Sequence, residues 1–361
     1  MSHSLKSQHS SRPQQAVTIH DVAREAGVTI GTVSKALNGQ GKLRPETREL
    51  VRSVAERLGF RPNDLAQSLM RGRSFTVGLI TTDSYGRFSI PLMLGIEDTL
   101  GSAQISVFLC DARDDPMREQ QHIASLLAKR VDGIIVTGRR IDPRPPIDVG
   151  NTCIPVLYAY TQVTDPGALC ILPDDEQGGY IATEHLLSLG RRQLAHITGP
   201  LRFESVQLRE KGMRRALSER GIPYREQLVL SGPWRESWGY EAVTMLLERK
   251  ERFDAIFCGS DQLARGVADA LRERGIKVPD DIALVGFDNW EIIAAATRPP
   301  LTTIDMNMHA VGQLAGSRLL AMINGEKDAG LLKVPCSLVI RESSGAHLSQ
   351  EVERSEKGRA L

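Results

Sequence analysis

"AREAGVTIGTVSKALNGQGK", residues 23–42, reads as the end of one helix, a tight turn and a second helix. Ala26-Gly27-Val28 forms the turn, and Thr29 is placed to cap the second helix. That helix opens Thr29-Ile30-Gly31, with glycine where Ala, Glu or Gln would be more stabilising by about 1 kcal/mol. On a helical wheel Val33, Ala36 and Leu37 share the inner side, while Gly31, Ser34 and Lys35 face away. Ile30 sits at the boundary of the two faces. Upstream, Thr18 and Asp21 mark the start of a first helix whose apolar residues Ile19, Val22, Ala23 and Ala26 fall at helical spacing. Downstream, a third helix begins at Pro45, runs to Leu58 and stops at Gly59, with Val51, Val54, Ala55 and Leu58 as its stripe. Three short helices over 17–59 make a minimal core, and a helix-turn-helix unit is their natural packing.

Outward from this unit the texture changes twice. Residues 1–16 are rich in Ser, His and Gln and read as a disordered tail with no apolar secretory segment. Residues 60–74, "FRPNDLAQSLMRGRS", read as an Arg-rich linker with one short helical turn. From Phe75 the chain alternates apolar runs with amphipathic helices. "FTVGLITTD", "ISVFLCDAR", "VDGIIVTG", "IPVLYAY", "LAHITG", "FDAIFCG" and "DIALVGFD" read as buried strands, with helices such as 116–130, 178–189, 208–220, 236–249 and 261–274 between them. Such alternation implies parallel sheet with helices on both faces. Its length exceeds one doubly wound domain and implies two lobes. The polar stretch from Ser344 is expected to fray.

The charge is unevenly placed. Residues 1–73 hold 12 Lys/Arg against 6 Asp/Glu, and the remainder 33 against 38. A basic end on a slightly acidic body suits a polyanion partner at that end only. The five cysteines, Cys110, Cys153, Cys170, Cys258 and Cys336, form no CxxC pair and are expected to be buried free thiols of a reducing cytosol. No stretch approaches the ~18 apolar residues of a membrane span. A cytoplasmic protein with no membrane association is expected.

Several strands of the body end in polar residues: Asp83, Asp111, Ser260-Asp261 and Asp288. Ligands of open parallel sheets bind at these carboxyl ends, although each Asp taken alone is better read as a cap of the next helix. With Trp234, Tyr160 and Arg209 they make a pocket suited to a polyhydroxylated ligand, in which polar groups take hydroxyls and an aromatic face stacks on C–H surface. Enzyme signatures are missing. "NGQGKLR" fails the GxGxxG pattern and follows no strand, and there is no GxxxxGK[ST], GxSxG or HExxH. His185 and His196 stand alone as structural histidines. Binding is favoured over catalysis, with no cofactor or metal.

The sequence resembles the lac repressor/galactose repressor family of bacterial transcription regulators. The similarity covers residues 17 to about 342; its most specific part runs from "TIHDVAREAGVTIGTVSKALNG" to "LAQSLMRGRS". Further matches are "VDGIIVTG", "ATEHLLSLGRRQLAHITGP", "GSDQLARGVADALRERGIKVPDDIALVGFDN" and "RPPLTTIDMN". The resemblance implies a two-lobed α/β core like a periplasmic sugar-binding protein, with parallel sheets and helices on both faces, behind an all-α helix-turn-helix headpiece. It implies a headpiece over 17–61, a hinge helix within 62–74 and an effector-binding core over 75–342. The lobes would be 75–172 with 304–333, and 173–303 with 334–342, followed by a flexible tail.

It also implies site residues. Ile30, Gly31 and Lys35 fall at base-reading positions, and Thr29, Thr32, Ser34, Asn38, Lys42 and Thr47 at phosphate-touching ones. Lys35 can donate to guanine O6 and N7. Leu69 matches the hinge leucine that wedges into the minor groove; the next residue, usually Ala or Val, is Met70 here. For the effector the resemblance implies Phe88, Tyr160, Asp174, Arg209, Trp234, Ser260 and Asp288, and the strand-end residues Asp83 and Asp261 join them as candidates. The loop "DSYGRFSIP" departs from the family's usual stretch, with Tyr85 and Arg87 unusual in it, and Ser260 stands where many members have Asn. The tail shows no leucine heptads for a tetramerising coiled coil.

The implied protein is a homodimeric repressor that binds a palindromic double-stranded operator and responds to a small molecule, usually a sugar. Within this class, a purine-like corepressor and activation rather than repression stay open. A transport module without a DNA role is disfavoured by the complete helix-turn-helix, and an enzyme by the missing catalytic constellation. Gly31 lies at the groove-facing start of the recognition helix. Replacing it in Gly31→Gln is expected to alter sequence preference with the fold intact, read by binding-site selection; an unchanged preference would assign the glycine to packing alone.

Overall fold

The computed structural model describes residues 17–37, 41–60 and 73–346. The expectations for the 1–16 tail, for Asn38, for Leu69 and Met70 of the hinge and for the segment from 347 lie outside them. The chain divides into two units between Ser74 and Phe75.

The first unit holds α1 (Ile19–Glu25), α2 (Ile30–Leu37) and α3 (Pro45–Leu58). The Thr18 backbone N–H and hydroxyl both donate to the Asp21 carboxylate, at 3.0 and 2.7 Å, which locks the first turn of α1. The Thr32 N–H donates to Thr29 Oγ1 at 3.2 Å, so Thr29 caps α2. Gly59, at φ 66°, closes α3 in the left-handed conformation that only glycine adopts cheaply. Val22, Val33, Ala36 and Val51 are fully buried and join the three helices.

The second unit is built on two sheets, each flanked by helices. Lobe 1 carries β1 (Thr76–Thr81), β2 (Ser106–Asp111), β3 (Gly133–Thr137), β5 (Val156–Ala159), β7 (Leu169–Pro173) and β13 (Gly330–Val334) in the order β13-β7-β5-β3-β1-β2, all parallel. A short ribbon pairs β4 (Pro143–Arg144) with β6 (Gln162–Val163). Lobe 2 carries β8 (Leu194–Thr198), β9 (Val229–Ser231), β10 (Ala255–Cys258), β11 (Ala283–Phe287), β12 (Thr302–Asp305) and β14 (Ser337–Val339), parallel except for β14 against β12. Lobe 1 has α4 (Ser89–Ser102), α5 (Pro116–Ala128) and α11 (Met308–Ile323); lobe 2 has α6 (Asp175–Ser188), α7 (Glu204–Glu219), α8 (Glu236–Glu248), α9 (Asp261–Glu273) and α10 (Glu291–Ala294). Leu92, Ile96 and Val311 cover one face of the lobe 1 sheet and Ile123 and Leu126 the other.

Three helix pairs cross unusually closely. A Cβ on Gly95 of α4 would overlap the His309 carbonyl oxygen, and one on Gly312 of α11 that of Leu92. Gly179 and Gly212 stand in the same reciprocal relation between α6 and α7, as do Gly239 and Gly266 between α8 and α9. The chain passes between the lobes three times, and the passages are tied together. The Asp174 N–H donates to Val334 O at 2.8 Å, Cys336 N–H to Gln177 Oε1 at 2.7 Å, and Asn307 Nδ2 to Pro335 O at 2.6 Å.

Three expectations need correction. β7 keeps Pro173 in lobe 1, and β12 keeps Ile304 and Asp305 in lobe 2, so the crossings lie one to two residues from the expected boundaries. The core does not stop at 342. Ser343 Oγ accepts from Thr302 N–H at 2.8 Å and donates to Leu284 O at 2.6 Å, and Ser344 Oγ meets His185 Nε2 at 2.9 Å. These hydroxyls are buried hydrogen-bond partners, which polarity alone disguised as a frayed end. The thiols are all free, but Cys153 is exposed in the loop before β5, and Cys110 is half-buried because β2 is an edge strand open to solvent.

A methyl added in Gly212→Ala meets backbone that cannot swing aside, so unfolding free energy should fall by about 1–3 kcal/mol or more, measured by urea denaturation. His196 is fully buried, its Nδ1 2.8 Å from Phe257 O, and burial pushes its pKa down to about 4. Between pH ~6.5 and ~4 the unfolded chain binds a proton that the folded chain refuses, so stability rises with pH across that window and is lost on acidification, by up to about 3 kcal/mol. His196→Leu should flatten this part of the pH dependence; a slope unchanged by the substitution would assign it to other groups.

Candidate DNA-reading surface and interlobe cleft

On α2 the buried side is Val33 and Ala36, and the outward side carries Ile30, Gly31, Ser34 and Lys35. Thr29, Ile30, Gly31, Lys35 and Lys42 are exposed, while Thr32, Ser34 and Thr47 are half-buried. Ile30 is 41% exposed and stands apart from the headpiece core, so sealing that core is not its task. An added Cβ at Gly31 would find only Thr29 Oγ1, at 3.8 Å, an ordinary contact. Packing therefore does not demand this glycine. The result is a short helix whose outward face offers hydroxyls, a glycine, Ile30 and one lysine to whatever it meets, a set suited to phosphate contacts and base edges.

In the second unit, loops at the carboxyl ends of both parallel sheets face one another across a cavity of about 420 Å³. From lobe 1, Asp83, Arg87 and Phe88 follow β1, Arg139 and Arg140 follow β3, and Tyr160 follows β5. From lobe 2, Ser205 and Arg209 come from α7, Gln262 from the first turn of α9, and Trp234, Ser260 and Asp288 with Trp290 from the loops after β9, β10 and β11. Asp288 at φ 104° and Tyr160 at φ 54° hold strained backbone here, as functional sites often do.

Arg209 is the centre of the lobe 2 wall and only 3% exposed. Its Nε donates to Asp175 Oδ1 and its Nη1 to Gly259 O, both at 2.6 Å, and its guanidinium lies 3.7 Å over the Phe287 ring. Asp288 sits 3.9 Å away. Burial works against the charge of Arg209, and Asp175 and Asp288 more than offset it, leaving its pKa above the ordinary value. Burial pushes the Asp288 carboxyl up, with Arg87 and Arg209 pulling it back. Arg87 reaches across from lobe 1 to donate to Asp288 and lies 4.7 Å over Trp290. Phe88 and Tyr160 pack with ring centres 4.7 Å apart and ring planes tilted by 38°.

The structure gathers Asp83, Phe88, Tyr160, Arg209, Trp234, Ser260 and Asp288 around the cavity. Asp174 and Asp261 do not line it. Asp174 caps α6, accepting from Gln177 N–H at 3.2 Å, and the neighbouring Asp175 turns inward to Arg209 instead. Asp261 is buried behind the wall, accepting from Trp290 N–H at 2.7 Å and from Thr303, with burial and the Asp288 charge pushing its carboxyl up to about 8. Gln262 takes its place at the surface. Two residues of the cleft also cap or brace local backbone: Asp83 accepts from Phe88 and Ser89 N–H, and Ser260 from Leu263 N–H. Sequence reasoning missed Arg139, Arg140, Ser205, Gln262 and Trp290. The signal for the first two was available, since "GRR" directly follows the strand "GIIVT".

Comparison with known proteins agrees with this arrangement. Residues 18–63 match the family described as bacterial regulatory proteins, lacI family, and residues 183–344 the periplasmic binding protein-like domain. Catabolite control protein A of Priestia megaterium is 33% identical over 330 residues, 91% of this chain and 99% of that protein. The HTH-type transcriptional repressor PurR of Actinobacillus pleuropneumoniae serotype 3 (strain JL03) is 32% identical over 311 residues, 86% of this chain and 92% of its own length. Among solved structures, the lac repressor dimer bound to operator and the anti-inducer ONPF is similar with a TM-score of 0.77 at 29% identity, covering 92% of this chain and 100% of that one. A helix-turn-helix headpiece joined to a two-lobed ligand cleft, shared over nearly the whole length with such regulators, places the chain in the lacI family of bacterial regulatory proteins, the ligand-controlled DNA-binding transcriptional repressors.

Proposed function

We propose that the protein is a cytoplasmic homodimer that reads a palindromic operator and is switched by a small polyhydroxylated molecule, a carbohydrate, in the interlobe cleft. The observation that carries this is the cleft wall itself: a buried guanidinium and a carboxylate, Arg209 and Asp288, beside the aromatic faces of Phe88, Tyr160 and Trp234. Charged planar donors and acceptors take hydroxyl pairs, and the rings take a sugar's C–H face. Nothing in the wall pairs a nucleophile with a base, so the site acts by binding. Asp83, Ser260 and Gln262 complete it.

For DNA the reading assigns base contact to Ile30 and Lys35, with Gly31 permitting close approach, and phosphate contact to Thr29, Thr32, Ser34, Asn38, Lys42 and Thr47; Leu69 would enter the minor groove. For the dimer it has support in lobe 1, where edge strand β2 exposes Phe108 and Leu109 and α4 exposes Ile90 and Leu94. Apolar residues of this size on an edge strand suit a second copy better than water. No helix among the described residues is long and apolar enough to cross a membrane. A purine corepressor is the second reading. It is favoured by the aromatic rings Phe88, Tyr160, Trp234 and Trp290 around one cavity, which would stack on a flat base as readily as on a sugar.

A gel-shift titration on the gene's own upstream DNA tests the proposal, run across salt with a panel of sugars and purine bases. Operator affinity should fall steeply as salt rises, because Lys/Arg contacts release counterions, and a sugar should release the DNA. Affinity flat in salt would sink the DNA assignment. Binding that requires a purine would replace sugar induction with corepression.

A further inference from the structure

The charged groups of the cleft are unequally committed. Both carboxylates that line it are engaged: Asp83 by the Phe88 and Ser89 N–H groups at 2.7 and 3.0 Å, and Asp288 by Arg87. Among the guanidinium groups, Arg209 is held by Asp175 and Gly259 O, and Arg87 by Asp288. Arg139 and Arg140 remain. They are consecutive, follow β3 at the lobe 1 rim and both line the cavity. Arg139 makes no hydrogen bond or ion pair among the described residues. Arg140 Nε stands 3.8 Å from Asp142 Oδ2, beyond hydrogen-bond length, while Asp142 Oδ1 is taken by the Glu204 N–H at 3.0 Å.

A neutral polyol would leave Arg139 without a charge partner and Arg140 with only its loose ion pair to Asp142 and its place 5.0 Å over the Phe203 ring. An acidic group would take both forks in charge-assisted hydrogen bonds, the geometry for which arginine surpasses lysine. We propose that the effector carries an acidic group, a phosphate or a carboxylate, seated on Arg139 and Arg140 at the lobe 1 rim of the cleft. This rests on the effector-cleft reading above and adds the ligand's charge to it. The remaining wall, Arg209 with Asp288 and the aromatic faces, then holds the uncharged body of the same molecule.

The test is isothermal titration of the full chain with glucose, glucose 6-phosphate and glucuronate, repeated on Arg139→Gln/Arg140→Gln with its fold checked by circular dichroism. At least one acidic probe should bind about 10-fold or more tightly than glucose, and in the double variant that margin should vanish, acid and glucose then binding alike. Which acid gains tells phosphate from carboxylate. Glucose matching both acids, an acid preference that survives the double substitution, or no binding by either acid overturns the proposal. A probe that binds the wild type and Trp234→Ala equally well lies outside the cleft, and that result removes the cleft reading itself rather than the charge assignment alone.

Discussion

The buried guanidinium of Arg209 is the constraint on which the ligand-binding unit is organised. A charge this enclosed persists only where partners replace water, and removing one partner of such a set costs about 3–5 kcal/mol. Its partners are spread along the chain in a telling way. Asp175 opens α6 immediately after the first passage between lobes, Gly259 directly follows β10, and Met306 Sδ, 3.7 Å from Nη2, lies in the second passage. One side chain from α7 thus fixes where two crossing segments run relative to the lobe 2 sheet. Close approach of α6 and α7 at Gly179 and Gly212 is what brings Arg209 near enough to Asp175 for this to happen.

From that fixed point the cleft gains its switching character. Arg209 and Asp288 belong to lobe 2, and Arg87, which donates to Asp288, belongs to lobe 1. The lobes are bridged by their own side chains, Arg87 to Asp288. A ligand that engages Asp288 competes with Arg87, and one that also reaches Tyr160 or Arg139 supplies a new bridge of its own. The lobe arrangement can shift only by the difference in how strongly each state holds the ligand. A bridge that is exchanged rather than simply added is a direct source of such a difference.

The sequence disclosed regularities that repeat along the chain and hid those that depend on remote neighbours. The headpiece was legible to the residue, with α3 from Pro45 to Leu58 and Gly59 as stop, because caps and stripes are local. The buried strands were legible as apolar runs. Helices α4 and α11 were not singled out: "SIPLMLGIEDTLGS" and "MHAVGQLAGSRLLAMI" are apolar on several sides and broken by glycines that look like helix breakers. Gly95, Gly312 and Gly316 among them answer to a partner helix far away in sequence. The same holds at the cleft. Asp174 and Asp175 are adjacent and chemically identical, and only the fold turns one to cap its helix and the other to Arg209. Arg139 and Arg140 drew no attention because charge at a loop is ordinary until the opposing wall shows how much of it is left uncommitted.

This distinction between local and remote cause bears on Gly31. Gly95, Gly179 and Gly212 have a structural reason, since each faces backbone into which a Cβ would intrude. Gly31 has none: it is exposed, helical, and would accept a Cβ with an ordinary contact to Thr29. A glycine in a helix costs about 1 kcal/mol relative to alanine, and nothing among the described residues of the headpiece offsets it. Under the proposed DNA reading, the compensation lies in what the surface of α2 meets. Ile30 beside it raises the same question, being a large apolar side chain 41% exposed and outside that small core. Two adjacent residues thus each forgo stability on the same outward face, as the proposed docking on base edges would require.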